Sequence, residues 1–210
     1  MSIKYVIFDV GGVCYPYSLD CLDEWALKKS RKKEVLIAKG GVNGFDYNPY
    51  MRGEVDFSGF CMELCKYAGI EYEKGIEISI NEKLHEGVGD FYEETLEVMN
   101  KLKKRGIKIG LLSNALECLE DSASCLTVEE LIFVSYKLHC LKPERDIYQK
   151  VIDKLGCKAE EVIFIDDKEK NVSIARSLGM IGIVFDKKTI KNKVLAIVDE
   201  KNITINKFER

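Results

Sequence analysis

Four short polar clusters stand at the ends of apolar runs. Asp9 follows Ile3–Phe8 and is itself followed by Gly11-Gly12. Ser113-Asn114 follows Ile107–Leu112, Lys142 closes the segment ending at Leu141, and Asp166-Asp167 follows Val162–Ile165. Carboxylates are the ligands of hard divalent cations. A lysine ammonium supplies a point charge with three donors. Glycine-rich turns bring backbone N–H groups close to an anion. Together these residue types suit one phosphate site. Singly, each has a plainer reading: Asp9 or Asp166-Asp167 as a solvated turn, Lys142-Pro143 as a surface loop.

The elements that must position them read as an α/β chain. Ile3–Phe8, apolar apart from Lys4, has the pattern of a strand buried on both faces of a parallel sheet. Ile107–Leu112, Leu131–Ser135, Val162–Ile165 and Ile181–Phe185 read as four more strands. Helical stripes separate them. Asp90 has the type of an N-cap before Phe91, Thr95, Met99 and Leu102, and Gly106 stops that helix. Ala115–Ser124 reads as helical. Lys142-Pro143 is expected to open a helix, with proline in its first turn. Ile147, Tyr148, Val151, Ile152 and Leu155 are its buried stripe and Gly156 its stop. Asn171, Ile174, Ala175 and Leu178 share the face of the next helix, and Ile190, Val194 and Ile197 mark the last. Strands alternating with helices imply a doubly wound, Rossmann-like parallel sheet with right-handed crossovers. The carboxyl ends of such strands are where these sheets place ligands.

Between the first and second strands the character changes. Leu22, Trp25, Ala26 and Lys29 mark one helix, and Glu34–Lys39 a second. Phe57, Phe60, Cys61, Leu64, Cys65 and Ala68 form a stripe closed by Gly69, and Ile76, Ile80 and Leu84 form another. Gly40–Gly44 reads as a loop. Residues 15–88 are therefore expected to be an α-helical insert, with 1–14 and 89–210 forming the α/β core. Asn202–Arg210 reads as a polar tail.

Composition excludes several classes. The chain has 210 residues, 46% apolar and 32% charged, with formal charge −3. That is an ordinary globular balance with no basic footprint for nucleic acid. No apolar run approaches the ~20 residues of a membrane span. Asp9 interrupts the one apolar stretch at the N-terminus, so no secretory pattern is expected and the chain reads as cytosolic. The eight cysteines are scattered without paired C-x-x-C spacing, which argues against a zinc site and for reduced, mostly buried thiols. Cys14, near the Asp9 turn, is a candidate oxidation-sensitive position.

Taken in order, Asp9, Ser113-Asn114, Lys142 and Asp166-Asp167 resemble the four motifs of the haloacid dehalogenase (HAD) superfamily, and the helical insert resembles that superfamily's small α-helical cap. Phe-Asp-Val-Gly-Gly-Val, Arg52-Gly-Glu, Leu-Ser-Asn, Lys-Pro-Glu-x-x-Ile-Tyr and Ile-Asp-Asp-x-x-x-Asn are similar to one subgroup. That subgroup contains the N-terminal phosphatase domain of epoxide hydrolases and small bacterial sugar-phosphate phosphatases. The resemblance implies a Mg²⁺-dependent phosphatase acting on a small phosphorylated metabolite such as a sugar phosphate, as a monomer or weak homodimer. It makes Asp9 the nucleophile, with Lys142 beside it. Asp9, the Gly11 carbonyl, Asp166 and Asp167 would hold the metal. Gly11, Gly12, Ser113, Asn114 and Lys142 would hold the phosphate, and Asn171 would face inward toward a metal-bound water.

One position departs from the pattern. Where the superfamily carries a second Asp, two residues after the nucleophile, this chain has Gly11. That acid normally protonates the leaving group, help typically worth ~10²–10⁴-fold. Glu54 and His85 are the candidates to replace it if the insert closes over them. Gly11 also keeps open a catalytically weak protein that binds a phosphorylated ligand or a protein partner. A metal-independent dehalogenase is the third reading, and Asp166-Asp167 argues against it.

Overall fold

A computed structural model describes residues 2–206. Its first strand, β1 (Tyr5–Phe8), leads into helices α1 (Asp20–Lys29), α2 (Lys33–Ala38), α3 (Asn48–Met51), α4 (Phe57–Ala68) and α5 (Ile76–Glu86). The chain then alternates: α6 (Glu93–Lys104), β2 (Lys108–Ser113), β3 (Ile132–Val134), α7 (Ser135–Leu138), α8 (Arg145–Leu155), β4 (Val162–Asp166), α9 (Glu169–Ser177), β5 (Ile181–Val184) and α10 (Ile190–Asn206). All strand pairs are parallel, in the order β3-β2-β1-β4-β5. The strand order reverses direction at β1, so β1 ends between the ends of β2 and β4. That crevice is the ligand position of a doubly wound sheet.

Strand alternation divides the core between two layers. Val6, Phe8, Ile109, Leu111, Ile163 and Ile165 point toward α6 and α10, where they meet Val98, Met99, Leu102, Ile190, Val194 and Val198. Ile7, Leu112, Val162 and Phe164 point the other way, toward Ile147, Tyr148, Val151 and Ile152 of α8 and Ala175 of α9. The helices between β1 and β2 have a separate core built on Leu22, Ala26, Leu36, Tyr50, Phe60, Leu64, Ile80 and Leu84. Asp56 caps α4 by accepting from Gly59 N, and Gly69 ends it at φ 69°.

Several expectations are corrected. Asp90 is not a cap. The Tyr92 N–H donates to the Cys14 carbonyl at 2.8 Å, which keeps the backbone extended there, and α6 starts at Glu93. Pro143 does not lie in the first turn of a helix. Glu144 N closes a turn on Leu141 O at 2.7 Å, the Lys142–Pro143 peptide is cis, and α8 begins at Arg145. The segment reaching Leu141 is α7 and a turn. Gly41–Gly44 is a 3-10 turn inside the expected loop, and Ala115–Ser124 is 3-10 from Glu117 instead of α-helical. Of the expected polar tail, 202–206 continue α10, while 207–210 lie outside the described residues.

Candidate active site

At the crevice, Asp9 follows the last residue of β1 and its N–H continues the ladder to Ile165 O at 2.8 Å. The loop after it is held from α6, where Thr95 Oγ1 donates to Val13 O at 2.6 Å. Asp166 ends β4 and Ser113 ends β2.

Lys142 arrives from the turn before α8. Its placement rests on Asn114. The Asn114 amide donates to Lys142 O at 2.9 Å and accepts from Lys142 N at 2.8 Å, a two-point clamp between segments distant in sequence. Among the described residues no helix starts at Asn114, and the 3-10 stretch begins only at Glu117, so no helix N-terminus adds to the site at Asn114. The clamp directs the lysine ammonium into the sheet. There Nζ reaches Asp9 Oδ1 at 2.6 Å, Asp166 Oδ2 at 2.9 Å and the Leu112 carbonyl at 2.8 Å. Three donors meet three acceptors in a site where Lys142 is 5% exposed.

The two acids on this lysine differ. Asp166 also accepts from Lys168 N and from Asn171 Nδ2, each contact at 2.9 Å. Burial opposes its ionisation, but the Lys142 charge and these hydrogen bonds outweigh it and hold its carboxyl below the usual range. Asp9 has only the Val10 N–H, at 2.7 Å, beside the lysine. Burial dominates there and pushes Asp9 up to about 7, against the pull of Lys142. Lys142 would be lowered by burial, but the two acids raise it.

The residues fit a cation. Carboxylate oxygens of Asp9, Asp166 and Asp167 lie within 4.8 Å of one another. The buried Oδ1 of Asn171 has no hydrogen-bond partner. Gly12 sits at φ 82°, and a Cβ there would come within 2.8 Å of Asp167 Oδ2, so only glycine lets the two loops approach this closely. The Gly12 N–H is engaged with Tyr15 O at 2.7 Å.

A cavity of about 380 Å³ opens from these groups. A family model for haloacid dehalogenase-like hydrolases matches residues 3–179. The chain belongs to the haloacid dehalogenase-like hydrolases. Among curated relatives, it is 25% identical to mouse acyl-CoA dehydrogenase family member 10 over 89% of this chain and 18% of that protein. It is 23% identical to sesquiterpene phosphatase astK of Aspergillus oryzae over 87% of this chain and 89% of that protein. It is 25% identical to rat bifunctional epoxide hydrolase 2 over 75% of this chain and 30% of that protein. The chain thus spans less than a third of the first and third of these. The HAD family enzyme bt-2542 from Bacteroides thetaiotaomicron, in complex with magnesium and inorganic phosphate, shares the fold at TM-score 0.70 and 21% identity, over 89% of this chain and 96% of that one.

Within this HAD fold, Gly11 lies outside the left-handed region, and a Cβ there would meet Tyr17 Cβ at an ordinary 3.5 Å. Neither Glu54 nor His85 lines the cavity; both are exposed. Arg52 forms a two-point pair with Glu144, one contact at 3.0 Å, and so joins the helical segment to the turn that carries Lys142. Half of the cysteines are buried. Cys14 donates to Asp9 O at 3.2 Å and is 1% exposed. Burial holds its thiol far above its ordinary range, the opposite of an oxidation-sensitive position. The sequence reading missed the cavity wall: Tyr17, Leu19, Met51, Leu116, Leu119 and Glu120. They come from three separate segments; Leu116, Leu119 and Glu120 share a spacing of three and four, but nothing in it links them to Tyr17, Leu19 and Met51.

Proposed function

We propose that this HAD-like hydrolase is a Mg²⁺-dependent phosphatase of small phosphomonoesters that works through an aspartyl-phosphate on Asp9. The observation that carries the reading is Lys142, buried between Asp9 and Asp166 with Asp167 beside them. An Asp9 oxygen attacks phosphorus, the bond from phosphorus to the ester oxygen breaks, and the departing oxygen takes a proton from water and leaves as the alcohol. Water then attacks the aspartyl-phosphate and releases inorganic phosphate. Lys142 neutralises charge on Asp9 and on the phosphoryl oxygens, and its fixed position costs no reorganisation as that charge develops. Ser113 Oγ, the Asn114 N–H and the backbone at Gly11 would surround the phosphoryl group, while the Gly12 N–H stays engaged with Tyr15 O. The Asn114 side chain has a second duty, holding the turn of Lys142.

Asp9, the Gly11 carbonyl and Asp167 would hold Mg²⁺. Each Asp166 oxygen already accepts two hydrogen bonds, which favours Asp166 acting through a bound water, with Asn171 Oδ1 as that water's acceptor. When bound, the cation supplies charge neutralisation that lets one anion approach another. Residues 15–88 would act as a cap over a core of 1–14 and 89–210. Relatives named as phosphatases support the reading, as does a structural neighbour complexed with magnesium and phosphate. Among the described residues no helix is long and apolar enough to cross a membrane. The reading places the enzyme in the cytoplasm as a monomer or weak homodimer, with no nucleic-acid partner.

Gly11 favours a second reading, a weak catalyst that mainly binds a phosphorylated ligand or a protein. Phosphate release from 4-nitrophenyl phosphate decides between them. The first reading expects turnover that disappears with Asp9→Asn and with chelation. Turnover indifferent to both would overturn it.

A further inference from the structure

We propose that the phosphate ester cleaved here carries an apolar alcohol, not a sugar, a substrate class that rests on the phosphatase reading. Of the five charged residues lining the cavity, Asp9, Lys142, Asp167 and its chain neighbour Lys168 belong to the proposed phosphate end, and Glu120 is the fifth. Away from that end the wall is Leu19, Tyr47, Met51, Leu116 and Leu119.

The polar atoms on this wall are already committed. Tyr47 OH donates to Val42 O at 3.1 Å and so offers the cavity its ring. Tyr15 OH pairs with Ser122 Oγ, which itself donates to Leu119 O at 2.7 Å. Glu120 is held by Tyr136 and Lys137. Tyr17 is the one cavity-lining tyrosine whose hydroxyl has no described partner, and it is 36% exposed. A polyol entering this space would give up water at several hydroxyls and find almost no partners, which disfavours it strongly. An alkyl, aryl or isoprenoid group has only apolar surface to bury there and is favoured. Small-molecule sites commonly share this design, a mostly apolar wall with a few placed polar groups that fix orientation.

The inference is tested with esters of equal chemical reactivity. Release of phosphate from n-alkyl phosphates, from ethyl to decyl, is measured with the full chain and Mg²⁺, beside glucose 6-phosphate, whose ester is also to a primary alcohol. The leaving groups are matched, so chain length reports binding alone. kcat/KM is expected to rise about threefold to fourfold per methylene until the cavity fills, with glucose 6-phosphate well below hexyl phosphate. A flat series, or glucose 6-phosphate ahead of hexyl phosphate, would overturn the apolar class and leave the phosphatase reading standing.

A second measurement separates the two ideas. The affinities of methyl- to decylphosphonate, which cannot be hydrolysed, are read by calorimetry. Should no ester turn over, the phosphatase reading falls. A rising phosphonate series would still support an apolar ligand for this cavity, and a flat one would remove it.

Discussion

Along the carboxyl edge of the sheet, Lys142 commits all three ammonium donors to Asp9, Asp166 and the Leu112 carbonyl. Across the cavity, Leu19, Tyr47 and Met51 from the helical segment present rings and aliphatic chains, and the Tyr47 hydroxyl bonds away from the space. One wall is charge fixed in place and the other is shape. The charged wall, built on the ends of β1 and β4 and on the turn before α8, is a buried network, so it cannot adjust to different esters. The apolar wall sits on helices and loops with a core of their own, so its shape can change without touching the network. On the proposed reading, chemistry and selection fall to different parts of one fold, and mutations should separate along that line.

The largest effect expected is from Asp9→Asn, which keeps the shape and removes the attacking oxygen. Phosphate release should fall by about 10⁴-fold or more, with an unchanged far-ultraviolet circular dichroism spectrum; near-normal turnover would end the assignment of Asp9. Removal of Mg²⁺ comes next. Chelation and dialysis should abolish activity, and Mg²⁺ should restore it. The affinity for Mg²⁺ should weaken as pH falls below about 7, because burial lifts Asp9 to about 7 and the cation must then displace a proton. Titration by calorimetry at several pH values checks the sign, and affinity that strengthens toward acid would contradict it.

Lys142→Met tests the charged wall as structure. It leaves Asp9 and Asp166 facing each other in a buried site with no cation between them. Urea unfolding should show a loss of about 3–5 kcal/mol, part of it recovered by Mg²⁺. A neutral result would mean that the two acids share a proton at little cost.

Gly11→Asp sharpens the comparison, since it adds the missing acid where the charged wall meets Tyr17. The space accepts a Cβ. Turnover of alkyl phosphates should rise about tenfold or more, short of the ~10²–10⁴ of an ideally placed acid. Aryl phosphates, whose oxygens leave without help, should gain less. In the unmodified protein the same absence slows water's attack on the aspartyl-phosphate, so an aryl ester should give a burst of released phenol. Equal alkyl and aryl rates in the unmodified protein would reveal another proton donor. The smallest effect expected is from Arg52→Ala, which removes the pair with Glu144. A partly exposed ion pair should shift KM by no more than about fivefold.

Much of the fold could be read from the sequence, because each buried stripe repeats a period set by local geometry. Ile147, Tyr148, Val151, Ile152 and Leu155 are all buried on α8, as their spacing requires. Asp9, Asp166 and Asp167 converge because they follow buried strands at the same edge of the sheet, which the apolar runs foretell. What escaped the sequence depends on contacts between distant segments. The turn carrying Lys142 is set by the amide of Asn114, and the start of α6 by a hydrogen bond from Tyr92 to Cys14. The apolar wall combines residues from the Asp9 loop, the helical segment and the 3-10 stretch after β2, and no spacing rule links them.

The pair between Arg52 and Glu144 has a further consequence for exchange with solvent. Glu144 also receives the Leu141 N–H at 3.4 Å, and His139 Nδ1 lies 2.9 Å from the Arg52 carbonyl. The helical segment is thus fastened to the turn that delivers Lys142, at the rim and not in the reacting centre. For the segment to swing outward and release a product, two charges must separate into water. That step is cheaper in salt than in pure buffer, because mobile ions screen the parted charges. If residues 15–88 act as the proposed cap, the clasp makes ionic strength a throttle on departure: when release limits turnover, added salt should speed the enzyme, while the same salt leaves the buried bonds of Lys142 almost untouched.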